Sequence, residues 1–101
     1  DIQLKKGLLE NCVLAVLNEE DSYGYRIVKD ISPHINISES TLNPILKRLE
    51  SNELLSFYSV EHNGRLRKYY KITDEGKEKL KSFNEEWMEV MGVYNFIVSK
   101  I

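Results

Sequence analysis

Ser40-Thr41-Leu42-Asn43-Pro44-Ile45-Leu46-Lys47-Arg48-Leu49-Glu50, followed by Asn63-Gly64-Arg65-Leu66-Arg67-Lys68-Tyr69-Tyr70, decides the fold of this 101-residue chain. In the first run Leu42, Leu46 and Leu49 recur at helical spacing and leave a polar, partly cationic face opposite them. Ser38, with Glu39 and Thr41 close by, is a suitable cap for a helix running to about Asn52. The second run reads as a basic β-hairpin, because Asn-Gly supplies the positive φ angles of a tight turn. A helix able to enter a groove, followed at once by a basic hairpin, is the layout of a winged helix-turn-helix. Pro44 conflicts with a regular helix, since it removes one hydrogen bond and crowds the carbonyl of Ser40. Irregular geometry, or a later start near Thr41, is therefore expected.

The flanking sequence supplies the remaining elements. Leu4, Leu8, Leu9, Cys12, Val13, Val16 and Leu17 predict an amphipathic helix over residues 3–18. Asp21 or Ser22 then caps a second helix holding Tyr23, Ile27, Val28 and Ile31, which stops before Pro33. Gly24 is expected to permit close helix approach. Ile35-Asn36-Ile37 suits a small strand, and Phe57 to Glu61 and Arg67 to Ile72 form the hairpin strands. Thr73 caps a last helix with acidic residues in its first turn. On that helix Leu80, Phe83, Trp87, Val90, Tyr94, Ile97 and Ile101 alternate steps of three and four, a heptad-like seam that Met91 and Val98 widen. So apolar a terminal helix in so small a domain calls for a partner, and a homodimer is the natural one.

The predicted fold class is α+β and mostly helical, a winged helix-turn-helix with an additional C-terminal dimerisation helix. Residues 1–76 form the DNA-binding domain, whose N-terminal helix also joins the dimer core, and residues 77–101 form the dimerisation helix. Composition agrees with one ordinary globular domain: 42% hydrophobic and 30% charged residues, without an apolar run long enough to span a bilayer. No membrane association is expected. Nothing at the start of the chain resembles a signal peptide, and the lone Cys12 sits in an apolar helical run, so a reducing cytoplasm is expected. The net charge is −2, yet residues 38–71 alone carry six cations against four anions. The positive field thus gathers where the helix and hairpin lie, and phosphate attraction is a local effect.

These motifs together resemble the PadR family of transcriptional regulators, in its short form with a single C-terminal helix. The family pattern around the recognition helix, G-T-L-Y-P-x-L-x-R-L-E-x-x-G-L-I, reads here S-T-L-N-P-I-L-K-R-L-E-S-N-E-L-L over residues 40–55. Its wing pattern, G-R-x-R-K-Y-Y-x-L-T-x-x-G, reads G-R-L-R-K-Y-Y-K-I-T-D-E-G over residues 64–76. Tyr23-Gly24-Tyr25-Arg26-Ile27 is similar to its Y-G-Y-E-I segment. Ser40, Asn43 and Glu53 depart from the usual Gly, Tyr and Gly. The resemblance implies a repressor that binds double-stranded DNA as a dimer at an inverted-repeat operator.

For the DNA site, Ser38, Ser40, Thr41, Asn43 and Lys47 are the candidates on the recognition helix. Asn43 suits the N6 and N7 edge of adenine, and the hydroxyls suit phosphate near a helix N-terminus. Ser38 to Thr41 also fit a plain capping cluster. Arg48 lies nearer the buried side, where Glu50 or Glu53 offers it an ion pair. On the wing, Arg65, Arg67 and Lys68 suit backbone or minor-groove contact, or equally a solvated hairpin edge. Alternation places Arg65 and Arg67 on one face, Lys68 and Tyr70 on the other. Tyr23 offers its hydroxyl to phosphate or its ring to packing.

In multidrug-responsive relatives, the resemblance places a tryptophan at the position of Trp87, stacked on planar aromatic compounds at the dimer interface. Leu8, Leu9, Cys12 and Val13 would wall such a pocket; alternatively Trp87 only packs the interface, with Leu80, Phe83, Val90, Met91, Tyr94 and Ile97. No cofactor, metal or catalytic activity is expected, since His34 and His62 stand apart and no Cys/His cluster or glycine-rich phosphate loop is present. The competing function is a winged-helix protein-interaction module without sequence-specific DNA binding, for which the acidic net charge argues.

Overall fold

A computed structural model describes residues 2–101. The element order is α1 (Ile2–Glu19), β1 (Ser22–Tyr23), α2 (Gly24–Ile31), α3 (Glu39–Ser51), β2 (Leu55–His62), β3 (Arg65–Ile72) and α4 (Asp74–Ser99). The three strands form one antiparallel sheet in the order β1-β3-β2. This is the winged helix with a long C-terminal helix, as the sequence predicts.

The core lies where α1, α2 and α3 meet the base of the sheet. Leu14, Leu17, Ile27, Leu42 and Leu49 are all fully buried there, joined by Leu55 and Ile72 from the hairpin. Burial of each such side chain contributes about 1.5–3 kcal/mol before chain entropy is counted. Leu42, Ile45, Leu46 and Leu49 set the buried face of α3 and hold the opposite face outward.

The hairpin register follows from its turn. Asn63 at φ 52° and Gly64 at φ 79° are the two positive-φ residues of a two-residue turn, closed by the pair His62–Arg65. Counting outward, Tyr58 stands opposite Tyr69 and Leu55 opposite Ile72.

Several expectations are corrected. Tyr23 is not in α2 but in β1, where it pairs with Tyr69 at the free edge of β3. Neither Asp21 nor Ser22 caps α2; Tyr23 occupies the cap position without a side-chain bond. Ile35-Asn36-Ile37 has no strand partner: Ile37 is buried and Ile35 half-buried, so the in-out-in pattern serves core packing in an extended loop. Helix α3 starts at Glu39 and runs continuously through Pro44 rather than beginning near Thr41. Pro44 and Ser40 both face solvent, where water can hydrate the carbonyl that Pro44 leaves without a donor. A Cβ at Gly24 would meet nothing within 4 Å, so that glycine mediates no close helix approach. Arg48 pairs with neither Glu50 nor Glu53 but reaches Glu10 on α1.

Candidate nucleic-acid interface

The outer face of α3 presents Ser40, Asn43, Pro44 and Lys47, all exposed, at the spacing of one helical stripe. Ser38 caps the helix, its Oγ accepting from the Thr41 backbone N–H at 3.3 Å. The Ser40 and Thr41 hydroxyls lie 2.9 and 3.2 Å from the same oxygen. Ser38 is therefore occupied by capping, while Asn43 and Lys47 make no hydrogen bond or ion pair among the described residues and stand open to solvent.

Arg48 fixes the position of this helix. Its Nε donates to Glu10 Oε1 at 2.7 Å, and Nη2 lies 2.6 Å from the same oxygen, off the donor line. Both side chains are partly buried, and the pair ties α3 to α1 across 38 residues of sequence. Arg48 is consequently engaged by the scaffold, through Glu10.

On the wing, directly opposed residues share a face. Arg65, Arg67 and Tyr69 lie with His62, Val60 and Tyr58 on one side; Leu66, Lys68 and Tyr70 lie with Glu61, Ser59 and Phe57 on the other. Lys68 Nζ sits 3.8 Å from the Phe57 ring centroid. The Arg67 guanidinium sits 4.1 Å above the Tyr23 ring. Among the described residues the ion pairs within 4.0 Å engage only Arg26 and Arg48, which leaves Lys47, Arg65, Arg67 and Lys68 without an acidic neighbour at that distance. A row of un-neutralised cations on a projecting hairpin attracts phosphate.

Sequence reasoning missed the aromatic cluster behind these cations. Tyr69 stacks on Tyr58 (5.7 Å, 11°) and meets Tyr23 edge-on (5.4 Å), while the Tyr58 hydroxyl donates to Asp21 Oδ2 at 2.7 Å. That bond to the carboxylate, above all, holds the Tyr58 pKa above its ordinary value. The Tyr58–Tyr69 pair was legible by counting from the Asn-Gly turn; the arrival of Tyr23 was not, because a two-residue strand has no periodicity.

The residues proposed for a ligand pocket do not converge within one chain. Trp87 and Leu8 line a groove of about 290 Å³ between α1 and α4, with Leu4, Asn11 and Phe83. The Phe83 and Trp87 rings are 5.9 Å apart, tilted by 44°. Leu9 and Val13 point into the core instead. Cys12 borders a separate groove of about 410 Å³ toward α2, and burial pushes its thiol pKa up, away from a reactive thiolate. Along α4, Leu80 packs on the core, whereas Val90, Met91, Tyr94 and Ile97 are all exposed.

Comparison with known proteins places this geometry. The model of the "Transcriptional regulator PadR-like family" matches residues 13–82. A protein of Streptococcus mutans is 44% identical, with a TM-score of 0.83 over 91% of this chain and 87% of that one. A PadR-like transcriptional regulator of Bacillus cereus is 33% identical, with a TM-score of 0.85 over 95% and 96% of the two chains. Bacillus subtilis PadR in complex with operator DNA shares the fold at 23% identity and a TM-score of 0.71, covering 75% of this chain and 46% of that one. No helix among the described residues is long and apolar enough to cross a membrane.

Proposed function

The chain belongs to the PadR-like family of transcriptional regulators, and on that premise we propose that it binds an inverted-repeat operator as a homodimer and represses transcription there. One observation carries this reading. The core presents a wholly exposed polar helix face in the same domain as a hairpin whose Arg65, Arg67 and Lys68 have, among the described residues, no carboxylate within 4.0 Å. Asn43 and Lys47 read base edges, Ser40 and Thr41 meet phosphate at the helix N-terminus, and Arg65 and Arg67 hold the backbone. Ser38 contributes as the cap that orders this end of α3. Residues 1–76 act as the DNA-binding unit and 77–101 as the dimerisation segment, with α1 contributing to both. Two-fold symmetry sets the half-sites about 34 Å apart, one turn of DNA. A planar aromatic effector, seated against Trp87, Phe83 and Leu8, would change the spacing of the two wings and release the operator.

The test is selection of duplexes from a random library, then affinity on the selected site against salt. Wild-type protein should prefer an inverted repeat and lose affinity steeply as salt rises. Arg65→Ala with Arg67→Ala removes up to four phosphate contacts per dimer, flattening the log–log salt slope by about 3–4. Asn43→Ala should instead alter preference at particular bases, by about 1–3 kcal/mol for a lost bidentate pair. Weak affinity, identical on scrambled duplexes at moderate salt, would sink the operator reading and favour a protein-interaction module.

A further inference from the structure

Two wing cations lie over rings: Lys68 over Phe57 of the hairpin itself, and Arg67 over Tyr23, which a separate strand supplies. Tyr23 reaches Arg67 only because β1 adds to the edge of β3: Tyr23 pairs with Tyr69, and Arg67 lies two residues further along the same face. The ring is fixed from below by its edge-on contact with Tyr69, which stacks on Tyr58, which is anchored in turn by its hydrogen bond to Asp21. Two arginines share that ring, Arg67 at 4.1 Å and Arg26 at 5.3 Å. Their circumstances differ. Arg26 Nε donates to Ser22 Oγ at 2.9 Å, a second nitrogen donates to the Asp21 carbonyl, and Glu20 lies 3.6 Å away. Its charge and donors are engaged by its own loop. Arg67 has the ring face but, among the described residues, no carboxylate within 4.0 Å.

A guanidinium held by the electron-rich face of a ring is ordered without spending its N–H donors on an acceptor. It can then meet a phosphate bidentately, and the side-chain ordering that binding ordinarily requires is already present in the free protein. We propose that Tyr23 is a positioning residue for DNA binding, whose ring holds Arg67 in place for a phosphate of the backbone and whose hydroxyl makes no contact with DNA. The inference rests on the operator-binding reading and assigns Tyr23 a role different from the direct phosphate contact expected of its hydroxyl.

The experiment is a double-mutant cycle in affinity for the duplex selected with wild-type protein, each variant first checked by circular dichroism. Tyr23→Phe keeps the ring and should bind as wild type. Tyr23→Leu keeps bulk but not the π face, and should bind about three- to tenfold more weakly. Arg67→Ala should bind more weakly too, and Tyr23→Leu added to it should cost nothing further. An equal loss from Tyr23→Leu with and without Arg67 means a general structural role and overturns the proposal. So does Tyr23→Phe binding as weakly as Tyr23→Leu, which returns the hydroxyl to the phosphate. Should Tyr23→Leu fail to fold, the Arg67 Nε–Hε order parameter of the free wild-type protein decides: a value near that of rigid backbone, about 0.85, supports the proposal, and one below about 0.6 overturns it. Failure of the operator reading itself shows earlier, as wild-type protein that does not distinguish the selected duplex from scrambled DNA.

Discussion

Glu53 shows how much a single position can carry. It adopts φ 59° directly after α3, in the left-handed region that glycine occupies without strain. The chain ends its helix there in a Schellman motif: Leu54 N–H reaches the Leu49 carbonyl and Glu53 N–H the Glu50 carbonyl, both at 2.9 Å. The Glu53 carbonyl then accepts from Thr73 Oγ1 at 2.7 Å, joining the end of α3 to the start of α4. All of these bonds except the last donor are main-chain groups, and the exposed carboxylate makes no ion pair within 4.0 Å among the described residues. Glu53→Gly should therefore stabilise the protein by about 1 kcal/mol, the approximate cost of a left-handed L-residue. Thermal or urea unfolding checks this, and a fall in stability would show that the unfolded chain gains more freedom from the glycine than the turn loses in strain. The same position was visible in the sequence as a departure from the family's glycine. Its conformation was not, because Glu carries no turn signal of its own.

At the scale of elements, the junction between hairpin and α4 depends on Gly76. Thr73 caps α4, with its Oγ1 accepting from Gly76 N–H at 3.0 Å, and Thr73 N–H donates to the Leu54 carbonyl at 3.2 Å. The first turn of α4 is thereby pulled against the end of α3. A Cβ on Gly76 would collide with the Leu54 carbonyl oxygen, which is backbone, and would lie 2.7 Å from Ile72 Cγ1. Gly76→Ala should cost about 1–3 kcal/mol by overpacking, despite the better helix propensity of alanine. An unfolding midpoint equal to or above that of wild type would show that the junction can yield. What the sequence made legible at this scale has a physical pattern. Elements with many regularly spaced apolar residues, α1, α3 and α4, were read nearly to their ends, and the Asn-Gly turn set the hairpin register. The elements misread were short: β1 is two residues long, and Ile35 to Ile37 alternate as a strand does while packing a loop into the core. The Glu10–Arg48 tie was equally hidden, since a pairing between α1 and α3, 38 residues apart, leaves no local spacing.

For the whole molecule the unusual property is shape. Its principal extents are 60 × 26 × 21 Å, because the distal half of α4 projects beyond the winged domain. That half is apolar on nearly every side, with Met88, Val90, Met91, Val93, Tyr94, Phe96, Ile97 and Val98 all exposed. Helix α1 adds a second apolar stripe, Leu4, Leu8, Cys12 and Val16, alongside the one it turns to the core. So much exposed apolar surface fits burial against a second copy, which would also set the distance between two recognition helices. Ile97 offers a clean test because it is 52% exposed in the single chain. A charge there does not disturb the fold of one chain, but in a two-fold interface it enters twice. Each unpaired buried carboxylate costs at least about 1–3 kcal/mol, so Ile97→Glu should weaken the dimer by roughly 2–6 kcal/mol, about 30- to 10⁴-fold. Sedimentation equilibrium should find wild type at twice the 11.8 kDa chain mass and the variant at the chain mass itself, with far-ultraviolet circular dichroism indicating a folded winged domain. Operator affinity should fall with it, since one half-site binds far less tightly than two joined ones. A variant that remains dimeric would place the interface elsewhere and leave the projecting helix without its proposed role.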